Sequence, residues 1–527
     1  MTSGNSSPPP PYRRLSLLLR RSSSRKSLSE QPLLSDARES GYMSPISPRH
    51  HETPLLDDEE QQRQRRINCK IDIALLPLLS LLYLFNGLDR GNIGNAQTQG
   101  FTHDIGVEPD DLNYAVSLFF VTFVLLQPFS AAAGQWLGPT RWIPVIMICW
   151  GVLTLVQAFI KGRAALITTR LLIGAFEAGF YPTATGYLAT FYSPYDLAKR
   201  LGMFYGQYAI AGAFSGAISY GIFQIHHPSL KSWQMLFIIE GTLTCAVALI
   251  AWAWLPAGLQ SAWFLADEER KLALEGLRRG SHESTLSLSP SSPSARLTAR
   301  DFIETAKDWK LWFVLVFNIC ASVPSTAFSV FLPLVVEGMG YSSLQANLMS
   351  VPPFICGAVG LYMFAASSDA HRERGYHIVA GILLSLVGLV TIVTTVTGIA
   401  KYIGLCIFLS GSYVAPLLTV AWLSNNTPAP GKRFLVIGVN GWGNLAGVIG
   451  SQLFRQEYAP AYRTPFFATL GFVAAALGGY LAYRFTLRAV NARRAAIGRG
   501  KSEDERVVEE IDEVRYADRK WTFVYGL

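Results

Sequence analysis

The chain has 527 residues, of which half are hydrophobic and 16% charged, with a mean hydropathy of +0.26. So few charges cannot clothe a soluble protein of that size. The net charge of +8 comes without the interleaved aromatic and basic residues of a nucleic-acid surface, so no nucleic-acid partner is expected.

From the N-terminus, residues 1–66 are rich in Ser, Pro and Arg and hold no apolar run long enough to span a membrane or act as a secretory signal. They read as a disordered cytoplasmic tail. Its stretch RRLSLLLRRSSSRKS at 13–27 offers a basic face to anionic lipid, or simply a solvated one. SEQPLL at 29–34 and HETPLL at 51–56 look like dileucine sorting signals that lack the usual preceding acid. A vacuolar membrane is therefore the alternative to the plasma membrane.

Apolar blocks follow near 71–97, 112–133, 142–160, 165–190, 201–224, 234–255, 310–336, 344–366, 376–396, 400–422, 433–454 and 464–486. A helix of about 20 residues rises about 30 Å, the thickness of the hydrocarbon core. In lipid every backbone group must be paired, and no strand-like alternation of polarity appears, so the blocks predict an all-α membrane protein with twelve transmembrane helices. Basic residues collect on one side: Arg63, Arg65, Arg66 and Lys70, then Arg141, Lys199 and Arg200, Arg270, Lys271, Arg278 and Arg279, Arg372 and Arg374, Lys432 and Arg433. The first opposite loop carries Asp104, Glu108, Asp110 and Asp111, which predicts cytoplasmic termini. Cys69, Cys149, Cys245, Cys320, Cys356 and Cys406 lie in or beside these blocks without metal-ligand spacing, so neither a metal nor a disulfide frame is expected.

The longest internal connection, 257–305, has a charged helical part followed by the Ser/Pro-rich SHESTLSLSPSSPSAR. Six blocks on each side predict two six-helix bundles with a substrate held between them. The boundaries expected are a tail at 1–66, a first bundle at 67–256, the linker at 257–305, a second bundle at 306–487 and a C-terminal tail at 488–527. Lys199-Arg200 and Lys432-Arg433 open the fifth and eleventh blocks, and Gln207 and Asn440 follow at equal offsets, a faint echo of a repeat.

Charge inside the blocks is the informative departure. Asp89 and Arg90 lie in the first and Arg170 and Glu177 in the fourth, where an uncompensated charge costs roughly 2.5–3.5 kcal/mol. Arg170 and Glu177 are seven residues apart, so both project from nearly one face about 10 Å apart, with Gly174 and Gly179 allowing a neighbouring helix close. Asp89 and Arg90 point about 100° apart and serve different partners. The four charges sum to zero, and an arriving carboxylate makes the site negative. Two like charges about 4 Å apart repel by about 4 kcal/mol at an effective dielectric near 20, which favours protonation of Asp89 or Glu177. The competing reading is a permanent ion-pair network that fixes the first helix against the fourth.

The second half has almost no charge in its blocks. Asn318, Ser322, Ser325 and Thr326 surround Pro324, Ser412 and Tyr413 precede Pro416, and Asn440 and Asn444 sit among glycines. These either line a cavity or make helix–helix hydrogen bonds. Gln207 and Tyr114 are further candidates to touch substrate, and Glu240, near the inner end of the sixth block, is expected to pair with a cytoplasmic Arg.

LDRGNIGNAQTQGF at 88–101, RLLIGAFEAGFYP at 170–182, WQMLFIIEG at 233–241, FLPLVVEGMGYSSLQANLMSVPP at 331–353 and SSDAHRERG at 367–375 resemble fungal allantoate permease-type members of the anion:cation symporter family, within the major facilitator superfamily. The resemblance runs from about 68 to 487. It implies inward, proton-coupled carriage of a small organic anion such as allantoate, nicotinate or pantothenate. Arg90 would then meet the substrate carboxylate, Asp89 and Glu177 would carry protons, and Arg170 would tune Glu177. The loop GQWLGPTRW keeps only Arg141 of the superfamily's usual charges, so gating is expected to rest on Asp369, Arg372 and Arg374 in the second half. No phosphate-binding loop, nucleophile elbow or HExxH is present, so neither an enzyme nor a cofactor is expected. The partners implied are the anion, protons and the lipid bilayer, with the chain acting as a monomer. Efflux of a metabolite or drug and a non-transporting nutrient sensor are the alternative functions.

Overall fold

The computed structural model describes residues 58–192, 194–283, 298–511 and 517–527. The basic stretch, both leucine-pair motifs and most of the Ser/Pro-rich segment lie outside the described residues. Among the described residues every regular element is helical. In chain order the long helices are α1 Asp58–Gln97, α2 Pro109–Leu137, α3 Pro139–Gln157, α4 Gly162–Leu188, α5 Pro194–Phe223 and α6 Ser232–Trp254. The second set is α7 Trp309–Glu337, α8 Ser343–His371, α9 Gly375–Thr394, α10 Gly398–Asn425, α11 Gly431–Leu453 and α12 Arg463–Arg499.

Eleven of these are apolar and long enough to cross a bilayer. The exception is α5, whose 30 residues reach about 45 Å but whose apolar run is diluted by Gln207, Ser215, Ser219 and five glycines. Its neighbours explain the composition: α5 packs between α1 and α8, and Ser215 and Ser219 each accept a hydrogen bond from Asn95 of α1. The faces it turns to α1 and α8 are buried, and among its described residues only a narrow strip including Met203 and Phe214 stays exposed.

Helix starts follow local chemistry. Pro109 opens α2 with Asp110 and Asp111 in its first turn, where the helix dipole favours negative charge. Ser342 caps α8 reciprocally with Gln345, and the Asp308 carboxylate accepts from the Lys310 amide at the start of α7. Interruptions fall within the spans: α4 breaks after Glu177, α10 breaks at Tyr413 ahead of Pro416, and α11 tightens into a 3₁₀ turn over Gly441–Leu445. Pro324 and Pro333, by contrast, are accommodated inside a continuous α7.

The packing repeats with an offset of six helices. α1 lies on α5 and α6 as α7 lies on α11 and α12; α3 pairs with α6 as α9 pairs with α12; α2 pairs with α4 as α8 pairs with α10. The halves meet where α1 crosses α7, α5 runs along α8 and α2 runs along α11, the pattern of a two-fold repeat. At the end opposite the linker the seam is stitched by polar contacts. Asn113 donates to the carbonyls of Ser451 (2.5 Å) and Phe454 (3.0 Å), and Asn347 donates to Thr98 Oγ1 (3.0 Å).

At the linker end, residues 517–527 fold back onto the second half. The Gly526 carbonyl accepts from Trp422 Nε1 and Asn426, and Asp518 lies between Lys310 of α7 and Lys432 of α11 at 2.8 and 2.7 Å. All three ionic groups are buried. Burial alone would raise the Asp518 pKa, but the two facing ammonium groups outweigh it and hold the carboxyl below its ordinary value.

Candidate functional site

α1 and α4 bring the four predicted charges into one cluster beside the seam. Arg90 donates from Nε to Glu177 Oε2 at 3.0 Å, with Arg90 7% and Glu177 0% exposed. Arg170 approaches Asp89 at 3.8 Å, too long for a hydrogen bond, while Thr154 of α3 donates to Asp89 Oδ1 at 2.6 Å. Adjacent residues on α1 thus serve different partners, as their 100° separation requires. Arg90 holds Glu177 by a hydrogen bond, while Arg170 sits against Asp89. Asp89 and Glu177 share one cluster, so the two acids repel when both are ionised.

The close approach of α2 and α4 depends on two glycines. A Cβ on Gly174 would lie 2.4 Å from the Phe119 carbonyl, and one on Gly179 would lie 1.9 Å from Ser130 Oγ. That contact brings the rings of α2 over the charges: the Arg90 guanidinium lies 4.5 Å from the Phe123 centroid and 5.5 Å from Phe119, and Tyr208 of α5 closes the other side at 5.6 Å. Tyr208 in turn meets Tyr413 across the seam at 6.5 Å. Arg90, Arg170, Phe119, Phe120 and Val330 border a void of about 10 Å³, room for one water.

The cluster is incompletely paired. Asp89 Oδ2, Glu177 Oε1, and Arg170 Nε and Nη2 are buried without a hydrogen-bond partner. Glu240 of α6 is 3% exposed and neither carboxyl oxygen is bonded. Among the described residues Glu240 forms no ion pair with a cytoplasmic Arg, contrary to expectation, because α6 starts at Ser232 on the side away from the linker and Glu240 lies eight residues along it, well within the span.

The other predicted residues are dispersed. Gln207 is half-buried on α5, next to Tyr208. Tyr114 is 40% exposed at the rim opposite the linker, beneath the Arg455 guanidinium at 5.4 Å, and does not join the cluster. Asn318 and Asn440 are buried and bonded to each other at 3.3 Å, and Asn318 also accepts from Tyr480, which contacts Thr419 at 2.6 Å. Asn444 bonds back to the Gly441 carbonyl. At the linker end Asp369 pairs with Arg374 at 2.5 Å, and Arg372, in a left-handed conformation that ends α8, is exposed. The same loop contributes Glu373, which pairs with Arg484 of α12. Sequence reading passed over Thr154, Phe119 and Phe123. Only the face they share with buried neighbours sets them apart from ordinary apolar-span residues.

A family model described as Major Facilitator Superfamily matches residues 79–451. The MFS-type transporter efuF of Hormonema carpetanum is 35% identical over 81% of this chain and 86% of its own length. The high-affinity nicotinic acid transporter of Saccharomyces cerevisiae is 28% identical over 86% and 85%. Among solved structures, the proton:xylose symporter XylE superimposes with a TM-score of 0.61 at 12% identity, covering 78% of this chain and 95% of that one. An inward-facing bacterial homologue of the lysosomal transporter Spinster gives 0.59 at 16%, covering 78% and 97%. At those identities the structural likeness speaks for the fold.

Proposed function

The chain belongs to the major facilitator superfamily, and from the charges it buries beside its seam we propose that it carries a small organic anion inward together with protons. The observation that carries this reading is the balanced, partly unsatisfied cluster of Arg90, Arg170, Asp89 and Glu177 at the meeting of the two halves. An entering carboxylate competes with Glu177 for Arg90 and with Asp89 for Arg170. The acid that loses its guanidinium partner is left ionised in a buried site, and taking up a proton relieves that cost. Anion and proton each favour the other's binding, and by linkage the coupling is reciprocal.

In this scheme Arg90 and Arg170 bind the anion, and Asp89 and Glu177 carry protons. Gln207 lies beside the Tyr208 ring, and Asn318, Asn440 and Asn444 shape the facing wall from the second half. Tyr114 lies along the route at the far rim, and Asp369, Arg372 and Arg374 gate the linker end. The void has room for no more than one water, so the seam opens to admit substrate. The rings of Phe119, Phe123 and Tyr208 around Arg90 suit a planar acid, and the yeast relative's name points to nicotinic acid. The basic loops support cytoplasmic termini and the plasma membrane as the working location.

The test is uptake of labelled nicotinate, pantothenate and allantoate into cells lacking their own permeases, with and without a protonophore. Accumulation of at least one acid is expected, abolished by the protonophore and by Asp89→Asn and Glu177→Gln. If both variants still concentrate the acid under a pH difference, the proton assignment is wrong.

A further inference from the structure

The two acids of the proposed cycle leave a third unused. Glu240 lies on α6, which packs on α1 and on α3; Thr154 of α3 bonds Asp89, and Gly241, beside Glu240, lies against Gly151 and Leu155 of the same helix, so the α6 carboxyl belongs to the row of acids that Asp89 begins with Glu177. The two arginines attend only one end of it. Arg90 bonds Glu177 and Arg170 faces Asp89, while both oxygens of Glu240 are buried and unbonded.

The surroundings of Glu240 are polar where they face Asp89 and apolar elsewhere. α6 packs on α1, α3 and α5. From α1 the ionisable neighbour is Asp89. On α3, Trp150, Thr154 and Gln157 share one buried face by helical spacing; Thr154 bonds Asp89, and neither amide atom of Gln157 has a partner. The α3 thiol Cys149 lies by Cys245, one turn beyond Glu240 on α6. α5 meets α6 through Ile222 and Phe223 against Met235 and Leu236. An ionised Glu240 would thus face another carboxylate without a compensating cation, whereas the neutral acid has a donor to offer Asp89 and acceptors within the cluster.

We propose that Glu240 is a third proton-binding carboxyl, which holds a proton while the anion site is empty and passes it to Asp89 across the α1–α6 contact when the anion draws Arg170 away. In that step the O–H bond on Glu240 breaks and one forms on Asp89, directly or through an intervening water. Glu240 is left ionised, the net charge of the row is unchanged, and Glu240 recovers a proton from water. The proposal rests on the symport reading above and assigns it a proton store.

Infrared difference spectra of the purified full-length protein in liposomes, recorded across pH jumps without any substrate, test it. The wild type is expected to show a protonated-carboxyl C=O band at neutral pH that disappears in Glu240→Gln, shifts in Glu240→Asp and changes frequency in Asp89→Asn. A wild-type spectrum without such a band at neutral pH overturns the proposal and needs no variant to fold. So does a Glu240→Gln spectrum that keeps every wild-type carboxyl band. Either result leaves the uptake experiment standing, and failure of Asp89→Asn and Glu177→Gln to uncouple uptake sinks the symport reading whatever the spectra show.

Discussion

In the N-terminal half, Asp89, Arg90, Arg170, Glu177 and Glu240 are buried along the spans, several with atoms left unbonded. In the C-terminal half the equivalent helices present Asn318, Asn440, Thr419 and Tyr480, joined into one hydrogen-bonded chain. The buried ions of that half gather at the linker end, around Asp518 and the Glu373–Arg484 pair. One packing plan therefore supports two electrostatic designs. A satisfied neutral network is stiff and insensitive to protons, whereas an under-bonded charged cluster rearranges when an ion or a proton arrives.

The sharpest way to break this contrast is to remove Arg90. Arg90→Ala leaves Glu177 buried without its cation, a loss of about 3–5 kcal/mol. It should lower the melting temperature of the detergent-solubilised protein and abolish anion uptake. An Arg90→Ala, Glu177→Gln double variant should regain much of the stability and none of the uptake. If the single variant melts like the wild type, the cluster is not the ionic core described here.

Asp518 probes the other half. Asp518→Asn removes one of the two carboxylates, with Asp308, that Lys310 and Lys432 share, and about 3 kcal/mol should be lost in thermal melts. Because its folded pKa is lowered, its contribution is complete above the unfolded value near 3.9 and fades as pH falls through the lower folded value. The difference between wild type and variant should therefore be constant near neutrality and shrink only in strong acid. A difference that already changes between pH 5 and 8 would point to another group.

The smallest effect belongs to the neutral network. Asn318→Ala should cost about 0.6–1.7 kcal/mol, the range for hydrogen bonds between membrane helices. It should alter the preference among acids in the uptake panel with proton dependence unchanged. A variant whose protonophore sensitivity disappears would show that the second half takes part in coupling.

Apolar block length and backbone chemistry were enough to specify a helical membrane protein, because a spanning helix is a one-dimensional property of about 20 residues. The same holds for the face shared by Arg170 and Glu177 and the divergence of Asp89 from Arg90, which follow from helical pitch. α5 shows the limit of that logic: packed between α1 and α8, it carries polar residues and glycines on its buried faces and is less apolar than the other long helices. Tertiary structure alone decided the partners. Arg90 meets Glu177 across 87 positions, Lys310 meets Asp518 across 208, and Glu240 has no hydrogen-bond partner among the described residues. Charges on different helices pair according to how those helices cross and rotate. That geometry is set by the packing of many apolar side chains at once, and no local pattern in the chain records it.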